Sequence, residues 1–97
     1  MSITVIVEFQ AKPGKRAELL RVLQDLIEKH GAGLPGYLGS VRYEAIDNPD
    51  VLVEIAEWES VEKRKAHIDK AMATGVFAPL TELMGAPFRA TVIRQVY

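Results

Sequence analysis

The hydrophobic period of this chain switches repeatedly between two residues and about 3.6, and the order of those switches restricts the fold more than any single motif does. Ile3 to Gln10 alternates, with Ile3, Val5, Val7 and Phe9 on one parity, as in a half-buried strand. Lys12-Pro13-Gly14 ends it in a turn, since Pro fixes φ and Gly permits a sharp bend. From Lys15 to His30 the period lengthens: Leu19, Leu20, Leu23, Leu26 and Ile27 recur three and four apart among charged residues, which predicts an amphipathic helix stopped by Gly31. Gly33 to Gly36 reads as a loop. Tyr37 to Ile46 predicts a second strand, with Val41, Tyr43 and Ala45 on one parity. Asp47-Asn48-Pro49-Asp50 is a turn, and Val51 to Trp58 a third strand. Ser60 suits an N-cap and Glu62 the first turn of a helix over Val61 to Ala73, which carries Ile68 and Met72 four apart. Thr74-Gly75 breaks that helix. Val76 to Met84 predicts a further short helix with Phe77, Leu80, Leu83 and Met84 inward. Gly85 to Pro87 closes it, and Arg89 to Tyr97 is the last strand.

The order β-α-β-β-α-β points to an α+β ferredoxin-like plait: one domain over residues 1–97, a four-stranded antiparallel sheet, and helices on one face only. A folded chain of 10.8 kDa exposes roughly 5,500 Å² of surface, enough burial for one core. The sheet's second face must meet water or a partner. On that face the parity argument places Thr4, Ile6, Glu8 and Gln10 of the first strand and Leu52, Glu54, Ala56 and Trp58 of the third, with Arg42, Glu44 and Arg94 at the analogous parity. Such a face is too apolar for plain solvent, so the expected assembly is a homodimer joined through its sheets, with ion pairs inside the interface.

Several function classes are excluded by residue type. With no cysteine there is no disulfide scaffold, thiolate nucleophile, Fe–S cluster or Cys-ligated zinc. The two histidines, His30 and His67, lie 37 positions apart with no carboxylate at i+4, so no metal-ligand pair forms along the sequence. A net charge of −1 gives no field for nucleic acid or anionic membrane. Strand one offers only Phe9 and strand three only Trp58 for base stacking. The glycines Gly31, Gly33 and Gly36 follow a helix rather than a strand, unlike a phosphate-binding fingerprint. No basic-then-apolar leader or bilayer-length apolar run is visible, and the expected compartment is the cytoplasm.

Glu57-Trp58-Glu59-Ser60 followed by Lys65-Ala66-His67-Ile68 resembles the strand-end and helix segment of the antibiotic biosynthesis monooxygenase (ABM) domain family. Ile3 to Gly14, Leu34-Pro35-Gly36-Tyr37 and Asp47-Asn48-Pro49 are similar to that family in order and spacing, over nearly the whole chain. The resemblance implies a dimeric α+β barrel, in which two sheets pack across the dimer and each monomer keeps a pocket between its own sheet and helices. It also implies an oxidoreductase: a cofactor-independent monooxygenase that takes dioxygen and a small hydrophobic or aromatic, quinol-like or enolisable substrate. The deprotonated substrate then supplies the electron to oxygen, and the protein supplies a base, an orienting group and a dry pocket. Two other readings fit the same resemblance: a non-catalytic dimeric binding or stress-related domain, and an isomerase of a small enolisable carbonyl compound. The family's haem-degrading members carry an Asn in strand one, where this chain is apolar near Val7. Many members carry a second His about six residues after the first, where this chain has Ala73-Thr74-Gly75-Val76.

His67 is the candidate catalytic base, about a quarter-turn from the stripe of Val61, Ile68 and Met72. Its alternative is an edge histidine bonded to a carbonyl. Trp58, the only Trp, is the candidate flat wall of a substrate site, or else ordinary packing. Tyr37 and Tyr43 are candidate phenols for the same site. His30, at a helix C-terminus, reads as structural. Glu62-Lys63-Arg64-Lys65 with Lys70 reads as a solvated basic face.

Overall fold

The computed structural model describes residues 2–31 and 33–97. The elements run β1 (Ile3–Gln10), α1 (Arg16–His30), β2 (Tyr37–Glu44), β3 (Val51–Trp58), α2 (Val61–Thr74), α3 (Ala78–Leu83) and β4 (Arg89–Ile93). The strands form one antiparallel sheet in the order β2-β3-β1-β4, the ferredoxin-like arrangement the sequence implied. The buried core lies on one side of that sheet. Val5, Val7 and Phe9 of β1 and Leu52, Ala56 and Trp58 of β3 pack against Leu19 and Leu23 of α1 and Leu80 of α3.

The register corrects the expected composition of the outer face. Val5 pairs with Ala56, Phe9 with Leu52 and Ile3 with Trp58, so Leu52, Glu54, Ala56 and Trp58 share the helix side with the core parity of β1. Arg42 pairs with Glu54 and belongs to the same side. The parity of β3 could not be read from alternation, because both of its parities are apolar. The outer face instead carries Ile6, Val41, Tyr43, Val53, Ile55 and Ile93, with Thr4, Glu57, Glu8 and Arg89 in the rows on either side of the Val41–Ile55–Ile6 row. It is therefore still apolar at its centre. Val41 and Tyr43 are more than half exposed.

Boundaries differ where partners run out. β4 ends at Ile93, which pairs with Thr4 one residue from the start of β1, so only Ile3 remains beyond it to extend the ladder. β2 ends at Glu44 as the chain enters its turn. There Asn48 Oδ1 accepts from the Asp50 amide at 3.1 Å, and Arg16 donates to the carbonyls of Ala45 and Asn48, tying the start of α1 to the hairpin. The short helix is confined to Ala78–Leu83, with Pro79 in its first turn, because Gly75 adopts φ +71° and turns the chain before it. Ser60 caps α2 as expected, its hydroxyl accepting from the Lys63 amide at 3.2 Å.

Candidate functional site

Between the helix side of the sheet and the overlying helices lies a cavity of about 490 Å³, the size of a small-molecule site. Its floor comes from β1 and β3, and its walls from α1, α2, α3 and the segment 84–88. Most of the lining is apolar.

Trp58 ends β3 on the helix side, 5% exposed. The His67 imidazole stacks on the indole, with ring centroids 5.4 Å apart and planes 28° apart. Tyr37 meets Trp58 edge-on at 5.3 Å, and Phe77 meets His67 edge-on at 6.4 Å. Three of the four residues expected at a site, His67, Trp58 and Tyr37, are thus brought together at one end of the cavity. Tyr43 is not: it sits on the outer face, 52% exposed, across the sheet from the cavity. The cause is strand parity, because Tyr43 pairs with Val53, an outer-face residue. His30, in the last turn of α1, also lines the cavity.

His67 occupies a setting that disfavours a positive charge. Burial lowers its proton affinity below the ordinary histidine value of 6.5, and the nearby charges of Arg64 and His30 lower it further. It is therefore a neutral imidazole over most of the physiological range, able to accept a proton from a group placed against Trp58.

Two cavity residues were not singled out from the sequence. Glu54, at the centre of β3, faces the cavity with its side chain 15% exposed. Burial raises its proton affinity, while Arg42 and Arg64 pull it back down. Arg42 stands 3.8 Å from it and donates to Ser40 Oγ at 2.9 Å. Ser40 in turn shares a hydrogen bond with the Tyr37 hydroxyl. A polar chain thus runs from Tyr37 through Ser40 and Arg42 to Glu54. Arg64, one turn before His67 on α2, also lines the cavity and is not part of a solvated face. Its neighbours are: Lys63 pairs with Glu59 at 2.7 Å and Lys65 with Asp69 at 2.8 Å. The available signals were a carboxylate within an otherwise apolar parity (Leu52, Ala56, Trp58) and an arginine three residues before the candidate base. Among the described residues no group of three or more His, Asp or Glu side chains is placed to hold a metal ion, and no helix is long and apolar enough to cross a membrane.

No curated protein matches the chain. Solved structures share its fold along almost its entire length. A conserved protein from Methanosarcina mazei superposes with a TM-score of 0.80 at 24% identity, over 98% of this chain and 93% of that one. A Bordetella bronchiseptica protein reaches 0.86 at 16% identity, over 99% and 98%. A variant of SnoaB, a cofactor-independent oxygenase from Streptomyces nogalater, reaches 0.79 at 17% identity, over 99% and 94%. A family model described as antibiotic biosynthesis monooxygenase matches residues 2–76. That span runs from β1 through α2 and holds the sheet floor, Trp58, Glu54, Arg64 and His67, so this cavity is built on the part of the chain by which it belongs to the antibiotic biosynthesis monooxygenase (ABM) family.

Proposed function

We propose that the protein is a cofactor-independent monooxygenase that oxidises a small aromatic, quinol-like or enolisable molecule bound in the cavity. The observation that supports this most is the neutral, half-buried imidazole of His67 lying flat on Trp58 inside a mostly apolar cavity. A planar substrate can lie edge to edge with the imidazole, in reach of its in-plane nitrogen, with Tyr37 and Phe77 limiting its position. His67 takes the acidic proton of the substrate, leaving an electron-rich phenolate or enolate. That anion passes one electron to dioxygen, and the resulting pair combines to form a carbon-bound hydroperoxide. Loss of water from the hydroperoxide leaves a carbonyl. The balance is one CH₂ (or its enol) plus O₂ giving one C=O plus H₂O, with both oxidising equivalents of the second oxygen atom consumed in the water. The proton held by His67 completes the hydroperoxide; in the loss of water the same carbon gives up its remaining proton to His67, which passes it to the departing hydroxide. The apolar walls keep competing water away from the carbanion.

The test is oxygen uptake and product mass across a panel of quinols and hydroxynaphthalenes. The expected result is one O₂ consumed per substrate, with a product heavier by one oxygen and lighter by two hydrogens. His67→Ala is expected to lose about 100-fold or more of that rate. Binding of the panel without oxygen uptake above buffer by the wild type overturns the oxygenase in favour of a binding module.

The working unit in this reading is a homodimer closed through the outer sheet face, where Ile6, Ile55 and Val53 form the centre.

A further inference from the structure

Two arginine side chains of this fold are satisfied by the protein itself. Arg16 donates to two carbonyls and to Glu44, and Arg42 is held by Ser40 and Glu54. Arg64 differs. It is half-buried and lines the cavity, yet among the described residues its guanidinium has no hydrogen-bond acceptor and no carboxylate within ion-pair distance. Glu54 lies close enough to be felt electrostatically but is engaged by Arg42. The charge balance of the cavity wall follows. An ionised Glu54 is offset by Arg42, leaving the single positive charge of Arg64. A protonated Glu54 leaves the wall more positive still. In both cases the wall is net positive in apolar surroundings, where an opposite charge on a ligand counts for more than it does in water.

A guanidinium presents a planar fork of donors that matches the two oxygens of a carboxylate. Arg64 stands one turn before His67 on α2 and lines the same cavity as His67, Ile68 and Trp58. We propose that the cavity selects planar aromatic acids, with the ring held at Trp58 and His67 and the carboxylate paired with Arg64. This rests on the cavity being the substrate site of the proposed oxygenase, and it names the class of substrate that the site takes.

Calorimetric titration with 1-hydroxy-2-naphthoate and with its neutral amide, 1-hydroxy-2-naphthamide, tests it. Wild type is expected to bind the acid at least about tenfold more tightly than the amide, the scale of a charge-assisted hydrogen-bonded pair. Arg64→Gln is expected to abolish that preference, weakening the acid far more than the amide, and Arg64→Lys to retain part of it. Glu54→Gln removes the competing carboxylate and is expected to tighten the acid alone. Equal binding of the two probes by wild type, binding of neither, or a preference that survives in Arg64→Gln overturns the proposal. Should Arg64→Gln fail to fold by circular dichroism, Glu54→Gln decides: acid binding that is unchanged or weaker overturns it. The titration needs no turnover. An acid preference carried by Arg64 in a protein that consumes no oxygen leaves this inference standing and removes the oxygenase, while the reverse result removes this inference alone.

Discussion

At the residue scale, the chemistry of His67 is set by its neighbours more than by its type. Burial is the largest cause of its lowered proton affinity, and Arg64 and His30 add to it. A base that must be neutral to act therefore keeps working to lower pH than an ordinary histidine would. The acidic limb of the kcat/KM profile is expected to lie below pH 6.5, with activity lost as His67 becomes protonated, and Arg64→Gln is expected to move that limb upward. The ring-proton NMR titration of His67 checks both shifts. Stability has the same sign. The unfolded chain binds a proton at His67 near pH 6.5, before the folded chain does, so folding stability is full above that value and is lost as pH falls toward the folded-state pKa. Trp58 was singled out although its parity had set it on the outer face; His67 and Tyr37 were legible because a helix stripe and a strand start locate them without knowledge of register. Glu54 and Arg64 were not. Glu54 is assigned to the cavity only once Leu52, Ala56 and Trp58 are known to face the helices, and Arg64 stands among lysines that pair with Glu59 and Asp69 at the surface.

At the scale of elements, α2 carries most of the site and has few buried anchors of its own, with Ala71 its one buried residue. Its position depends on how it is started. The Ser60 hydroxyl accepts from the Lys63 amide, and Gly36 packs against the Lys63 side chain so closely that an added Cβ would stand 2.6 Å from it. Ser60→Ala removes the cap and is expected to cost about 1 kcal/mol, a fall in Tm of roughly 4–8 °C for a chain of this size. Urea denaturation should show the loss as a lower midpoint at unchanged slope. Activity should fall by no more than the loss of folded protein, since Ser60 does not line the cavity. Helix starts and stops were legible because Ser60 and Gly75 act locally, one through a hydroxyl and the other through a left-handed backbone. The facing of β1 was legible from its alternation, but that of β3 was not, since it is decided by pairing across the sheet. β3 is apolar on both parities, and only the match of Val5 to Ala56 resolves which parity meets the helices.

At the scale of the whole molecule, the chain is flat. The chain forms a slab of 38 × 36 × 20 Å, one layer of sheet under one layer of helices. Its accessible surface is 6652 Å², about 1,100 Å² more than the roughly 5,500 Å² of a compact monomer of its mass. The excess is of the order that one partner buries in a standard interface, about 800 Å². The outer sheet face is where a partner would recover it. Ile6 pairs with Ile55 at its centre, Val41 and Tyr43 stand exposed beside them, and the charges of Glu8, Arg89 and Glu57 lie at other positions of the same face. A central apolar row of Val41, Ile55 and Ile6 with charges on the flanking rows resembles the core and rim of an interface. Light scattering at micromolar concentration is expected to give twice the 10.8 kDa chain mass, and a value of one chain mass would sink the dimer. Ile55→Glu places a carboxylate at the centre of the face, where pairing would bury it without a partner. That variant is expected to keep its circular dichroism spectrum and fall to one chain mass. If it instead remains at twice the chain mass, the subunits meet elsewhere. The cavity opens on the opposite side of the sheet, so a monomeric Ile55→Glu that retains wild-type affinity for the naphthoate probe is the expected outcome. Loss of binding on dissociation would mean that the second subunit holds the sheet floor in shape.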